Sequence, residues 1–250
     1  MFGLFNKKKG TTNAAPLLAV LVADMHSHIL PGIDDGAKTI EDSLSLIGTL
    51  VAQGYTKLIA TPHIYQELYP NTPQTIQAAY ELLLPHVQKQ FPQVQLSYAA
   101  EYYMDDVFEN MLSNNQKLLT VHDNWVLVEH SFMQAPPNLK QIIFNLQMNG
   151  YTPILAHPER YEFYTKNLKD YDSLYDAGCI FQVNVLSLTG YYGATALSLA
   201  KHLLQKNYIK LLGTDIHHQR HQAGFDALGN NKLLQQVIAQ QNLLNHTLTN

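Results

Sequence analysis

The sequence predicts an α/β fold, a distorted seven-stranded (β/α)7 TIM-like barrel. Three observations predict it. Short apolar, β-branched runs alternate seven times with amphipathic helical patterns, the signature of a parallel sheet with helices outside it. No linker or compositional break follows the first sixteen residues, so 17–250 reads as a single catalytic-size domain and 1–16 as a flexible, solvated tail. About 235 residues for seven units suits a closed ring better than an open doubly wound sheet. Neither glycine-rich phosphate loop of such sheets, G-x-G-x-x-G or G-x-x-x-x-G-K with a following Ser or Thr, occurs.

The predicted strands are 17–23, 58–61, 94–100, 125–128, 153–156, 180–185 and 209–212. Apolar Ile40, Leu44, Ile47 and Val51 recur at spacings of three and four and predict a helix over 40–53. Similar patterns predict helices over 75–90, 105–114, 137–149, 168–177, 194–206 and 223–245. Gly54, Gly150 and Gly178 stand just past three of them, where a left-handed closing residue favours glycine. The apolar stretch before Lys7, Lys8 and Lys9 is too short for a signal peptide, and no later run has the length a bilayer demands. The expected setting is cytoplasmic, with no stable membrane insertion.

Composition narrows the function classes. Sixteen basic against twenty acidic residues leave a net charge of −4, which argues against a nucleic-acid partner recruited by bulk positive charge. At 46% hydrophobic the chain is not intrinsically disordered. A single cysteine, Cys179, rules out an internal disulfide framework and multi-cysteine zinc sites. Histidine is abundant, at twelve residues.

In a parallel barrel, chemistry collects where strands end. The first predicted strand runs into Asp24, His26 and His28, the second into His63, and the third into Glu101. The fourth ends in Glu129 and His130, the fifth in His157, Glu159 and Arg160, and the seventh in Asp215, His217 and His218. Only the sixth, ending near Asn184, lacks an acid or imidazole. A single strand-end histidine is ordinarily a hydrogen-bonded structural residue, so the weight rests on the set. Imidazole plus carboxylate without thiolate suits Zn, Mn or Fe in hydrolytic sites. His26 and His28, two apart, face the same side of an extended strand, and so do Asp215 and His217. So many donors exceed one tetrahedral ion and suit two or three, with a carboxylate such as Glu101 bridging. Clustered cations lower the pKa of bound water and clamp phosphoryl oxygens, and Arg160 adds a planar fork suited to phosphate. His86, His122, His202 and His246 read as surface residues; His130, His218 and His221 neighbour the site.

These residues resemble a known family. D-M-H-S-H-I-L-P-G-I-D-D-G-A-K-T from Asp24, A-T-P-H ending at His63, Glu101, V-E at Glu129, A-H-P-E-R at 156–160 and T-D-I-H at 214–217 resemble, in order, the PHP (polymerase and histidinol phosphatase) superfamily. The matching branch is the bacterial CpsB/YwqE-type manganese-dependent protein-tyrosine phosphatases. The resemblance implies the distorted seven-stranded barrel of the PHP fold. It also implies three metals: His26, His28, Glu101 and Asp215 on the first, Glu101, Glu129 and His157 on the second, and Asp35, His63 and His217 on the third, with Arg160 on phosphate. The implied cofactor is Mn2+, as two or three divalent ions; Fe, Zn, Co or Mg would suit the same donors. Two departures stand out. The branch carries a second phosphate-binding arginine several residues after the last D-x-H; here Arg220 comes only three after His217, between His218 and His221. Ile64 follows His63, where relatives often carry a histidine.

The resemblance implies phosphotyrosine hydrolysis by a metal-activated hydroxide, without a phosphoenzyme, on the tail of a bacterial tyrosine autokinase that regulates capsule or exopolysaccharide synthesis. Asp35 or a nearby histidine such as His217 is available to supply a proton. Cys179 lacks the C-x5-R context of a thiol phosphatase, since Val185 stands six residues on. Tyrosines follow most strand ends, and Tyr65, Tyr102 and Tyr161, with Tyr69, Tyr103, Tyr164, Tyr191 and Tyr192, are expected to rim the mouth and grip substrate. Competing readings are a histidinol-phosphatase-like or other small-molecule PHP phosphoesterase, an amidohydrolase, and a non-catalytic metal-dependent binding module.

Overall fold

In the computed structural model, residues 16–226, 228–240 and 242–249 are described, and the expectation of a tail over 1–15 lies outside them. Among the described residues, nine strands form two parallel sheets rather than one seven-stranded ring. The three-stranded sheet orders β1 (Ala23–Asp24), β2 (Lys57–Ala60) and β4 (Gln95–Tyr98). The six-stranded sheet runs β3 (His63–Ile64), β5 (Glu101–Tyr103), β6 (Trp125–Glu129), β7 (Thr152–Ala156), β8 (Ile180–Asn184) and β9 (Ile209–Gly213).

The count differs from seven because two runs split. Thr61-Pro62 separates β2 from β3, and Pro62 has no N–H to donate to a ladder. Ala99-Ala100 separates β4 from β5. Each half joins a different sheet. The first run is a strand only at its end: Leu17–Leu21 is a 3₁₀ turn, and Val22, at φ +63, breaks the extension.

Isolated bonds link the sheets. Ser27 bridges Ile216 in parallel, and the Asp215 N–H donates to the His26 carbonyl at 2.7 Å. Asp24 accepts from the Thr214 N–H and hydroxyl at 2.9 and 2.6 Å, and burial pushes its carboxyl up to about 6. Below them the buried Asn245 side chain accepts from the Leu212 N–H and donates to the carbonyls of Leu212 and Ala23, filling the gap between β9 and β1.

The helices cover the outside, as their caps dictate. Thr39 and Asp42 form a capping box on α1 (Ile40–Ala52), and Thr72 and Thr75 form another on α2 (Pro73–Gln90), with Pro73 in its first turn. Asp105 caps α3 (Asp106–Ser113). Next come α4 (Leu139–Met148), α5 (Lys169–Asp176) and α6 (Ala194–Gln205). Gly54, Gly150 and Gly178 do take positive φ past α1, α4 and α5. The helix expected over 223–245 is two, α7 (Arg220–Asp226) and α8 (Lys232–Gln240), because a 3₁₀ turn at Leu228–Asn230 intervenes and Asn231 caps the second through the Leu234 N–H.

Asn245 tests the link between first and last strands. Asn245→Leu leaves three backbone groups short of a partner and lowers unfolding free energy by about 2–3 kcal/mol, measured by urea denaturation. An unchanged midpoint would show that the β1–β9 gap closes without it.

Candidate metal centre

All parallel strands point their C-terminal ends to one side, and the nine expected ligands meet there. Glu101, the first residue of β5 and fully buried, is the hub. Its Oε2 lies 3.2 Å from His26 Nε2, 3.3 Å from His28 Nε2 and 3.2 Å from His63 Nδ1, and its Oε1 lies 3.1 Å from His157 Nε2. Asp215 Oδ1 sits 3.4 and 3.5 Å from the same nitrogens of His26 and His28, and 3.3 Å from His217 Nδ1. Glu129, ending β6, approaches His63 Nδ1 at 2.9 Å. Asp35, 49% exposed, stands 3.4 Å from both His63 Nε2 and His217 Nε2. Among the described residues, three groups keep their ligand atoms within 4.8 Å of one another: His26, His28 and Glu101; His63, Glu101 and Glu129; and His28, Asp35, His63 and His217. His157 stands closer to Glu101 than to Glu129, whose Oε2 is 3.9 Å away.

Two features of the donors fit divalent cations. The first is tautomer control. His26 Nδ1 donates to Gln182 Oε1 at 2.8 Å, and His28 Nδ1 donates to Asp34 Oδ2 at 2.7 Å. Each neutral ring therefore turns the Nε2 lone pair inward. The second is spacing. His26 Nε2 and His28 Nε2 lie 3.3 Å apart, and two lone pairs at that distance repel unless a proton or cation lies between them. Bonds of about 2.0–2.1 Å to one tetrahedral ion place its ligands about 3.4 Å apart, close to the separations among His26, His28, Glu101 and Asp215. His63 Nδ1 is buried near two carboxylates yet lacks hydrogen-bond geometry to either.

The electrostatics agree. Burial alone would depress His28, but Asp34 outweighs it and the imidazole rises to about 10. His63 rises well above its usual range despite burial because Glu101 and other carboxylates face it. Burial would raise Glu101 and Asp215, yet His26 and the surrounding cations hold both far below the usual carboxylate range. Without an ion, protons on the imidazoles balance the carboxylates. A metal must displace those protons, so its binding weakens as pH falls.

Supporting residues escaped sequence reasoning. Asp34 holds His28 and accepts from the Gly36 N–H at 2.9 Å. A side chain on Gly36 would start 2.0 Å from the His28 carbonyl oxygen, so only glycine lets this loop lie against the ligand. The sixth predicted strand, apparently empty of chemistry, supplies Gln182, which holds His26 and passes a hydrogen bond to Asn184; Asn184 Nδ2 donates to Asp215 Oδ2 at 2.7 Å. Their alternation in Q-V-N at the end of β8 was the available signal. His157 and Asp215 adopt left-handed backbone, at φ +33 and +51, a strain that surrounding contacts must hold.

Around the mouth, Arg160 donates to Asp215 Oδ2 at 2.9 Å, with its guanidinium carbon 4.9 Å from the Phe132 ring and 4.4 Å from the Tyr192 ring. A cavity of about 320 Å³ opens here, walled by Asp35, Glu129, Phe132, Arg160, Tyr192 and His218 among others. The expected tyrosine rim needs correction. Tyr102 and Tyr161 are fully buried, with hydroxyls accepting from the Leu119 and His130 N–H groups, so neither reaches substrate. Tyr164 is buried too. Tyr65 stacks on Tyr103 at 4.0 Å away from the cavity, and Tyr191 and Tyr192 do line it. Arg220 is exposed at the start of α7 and does not line the cavity; His218 and His221 do. His221, pushed down to about 3 by burial, accepts the His217 N–H. His130 is buried against Tyr161 and Tyr164. Cys179 is buried, and burial pushes its thiol up to about 12.

Parallel strands whose ends converge on a His/carboxylate cluster beside an arginine define the class of metallohydrolase sites. More specifically, residues 22–226 match the family model for capsular polysaccharide synthesis, CpsB/CapC, and the chain belongs to this family. It is 30% identical over 194 residues to the tyrosine-protein phosphatase YwqE of Bacillus subtilis, covering 78% of this chain and 76% of that protein. It is 28% identical over 200 residues to the tyrosine-protein phosphatase CpsB of Streptococcus agalactiae, covering 78% and 82%. A crystal structure described as YwqE from Bacillus subtilis and CpsB from Streptococcus pneumoniae, unique metal-dependent tyrosine phosphatases, superposes with a TM-score of 0.74 at 27% identity, covering 88% of this chain and 96% of that one.

Gln182 tests the support of the ligands. Gln182→Leu removes the partner that orients His26, so divalent-ion affinity falls about 10- to 100-fold, read by competition with a chromogenic chelator. Unchanged affinity would show that His26 needs no such orientation.

Proposed function

We propose that the chain is a metal-dependent phosphomonoesterase that hydrolyses phosphotyrosine in protein, its substrate being the phosphorylated tail of a bacterial tyrosine autokinase that regulates capsule or exopolysaccharide synthesis. The observation that carries this is the cluster of nine imidazole and carboxylate side chains with Arg160 at its open edge. The kinship with YwqE and CpsB supports it. The two parallel sheets, bridged at Ser27–Ile216, are read as parts of one distorted PHP-type barrel.

His26, His28, Glu101 and Asp215 would hold one ion, Glu101, Glu129 and His157 a second, and Asp35, His63 and His217 a third. Mn2+ is the preferred ion by kinship. When bound, such ions supply an ionised water near neutral pH and positive charge for phosphoryl oxygens. Arg160 donates one N–H to Asp215 and lines the cavity, where an equatorial phosphoryl oxygen would accept from its remaining donors. His217 and His63 hold Asp35 far below the carboxylate range despite partial burial, so it stays ionised, which favours a ligand over the proton donor expected from the sequence. A strong acid is unnecessary, since the tyrosinate leaving group has a conjugate-acid pKa of about 10. Cys179, protonated and buried, takes no part. No helix among the described residues is long and apolar enough to cross a membrane.

Phosphate release from a phosphotyrosine peptide should vanish on chelation and return with Mn2+, with elemental analysis giving the metal content. His157→Ala should lose at least about 100-fold, and Cys179→Ser should stay within about twofold because the thiol carries no charge. A dead serine variant or a fully active alanine variant would refute the mechanism. Faster turnover of histidinol phosphate than of the peptide would move the substrate to small molecules.

A further inference from the structure

Phe132 stands at the mouth as a large apolar side chain that is broadly exposed, at 44%. The Arg160 guanidinium carbon lies over its ring and over that of Tyr192, and the Phe132 ring also stacks on His157 at 5.6 Å between centroids. A second cavity of about 320 Å³ shares Phe132, Arg160 and Tyr192 with the first and continues past Glu162 and Ala196. The three side chains thus stand between the ion cluster and a further groove.

We propose that Phe132 and Tyr192 form an aromatic clamp that selects aryl over alkyl phosphates, and that the second cavity takes the peptide adjoining the phosphotyrosine. This deepens the phosphatase reading above and rests on it. Packed over two rings, the guanidinium keeps its in-plane N–H donors for phosphoryl oxygens. A phosphoryl group on those donors sends its ester oxygen outward past the two rings. A phenyl group attached there meets their edges and faces, and offset or edge-to-face contact between rings is favourable. The side chain of phosphoserine lacks both the ring and the reach, so its peptide backbone would have to enter between the clamp residues. Of the tyrosines expected at the rim, the buried Tyr102 and Tyr161 are unavailable for this task.

The test uses the full-length, metal-loaded protein and one peptide sequence carrying either phosphotyrosine or phosphoserine, with inorganic phosphate as an inhibitor lacking any ring. Phe132→Leu and Tyr192→Leu should each raise KM for the phosphotyrosine peptide about 3- to 10-fold and narrow its advantage over the phosphoserine peptide by at least that factor. Tyr192→Phe should behave as wild type, because the Tyr192 hydroxyl makes no hydrogen bond. Phosphate inhibition should hold within about twofold, since Asp215 still anchors Arg160. Equal losses on both peptides and on phosphate would reduce the rings to packing for Arg160 and overturn the proposal, as would no loss at all. If the wild type released phosphate from neither peptide, the phosphatase reading would fall, and the dissociation constants of the two peptides in wild type and variants would then decide the clamp.

Discussion

The burial of Glu101 is the constraint on which the rest of the structure depends. A carboxylate with no solvent contact is costly unless positive charge and hydrogen bonds surround it. Here four imidazoles from three segments of chain converge on its two oxygens, and Asp215 closes the cluster from the last strand. No local stretch of sequence could assemble that set. Only a parallel array, which sends every strand end to the same side, brings residues 26 and 215 into contact.

Around this hub a second layer removes the freedom that would scatter the ligands. Asp34, Gln182 and the Asp215 backbone carbonyl take the outward nitrogens of His28, His26 and His217. Each bond fixes a tautomer as well as a ring angle. The same layer explains local oddities of backbone. Gly36 allows the loop to lie on the His28 carbonyl, and the left-handed His157 and Asp215 turn their side chains inward where regular strands would pass by. Strain at those positions is tolerable because neighbouring bonds over-determine them.

Much of this was legible in the sequence, unevenly. Apolar runs and capping residues located the helices within a few residues, because burial and caps are local signals. The strand count was not legible: whether 57–64 is one strand or two depends on Pro62 and on which neighbour each half meets. The failed continuity of 223–245 has a local cause in Gly229 and Asn230, whose turn broke an apolar pattern that otherwise persists. At the site, charged and imidazole groups announced themselves by type, whereas Gln182 and Asn184, neutral amides, did not. The tyrosines misled because Tyr102 alternates inward on β5 while Glu101 faces the cluster, a consequence of period-two strands that position next to a ligand does not reveal.

The cluster also has a direction. Glu101, His26 and His28 lie at the dry end, while Asp35 and Arg160 stand at the wet end, where the cavity opens. Electrostatic interactions strengthen with depth as water is excluded, so ions held by the inner donors would be retained firmly. The group of Asp35, His63 and His217 faces a more screened environment and would exchange its ion more readily. A phosphoryl group entering from solvent meets Arg160 and this outer group first, and only then the buried donors. The gradient thus places exchangeable charge where ligands come and go, and fixed charge where the reacting geometry must not vary.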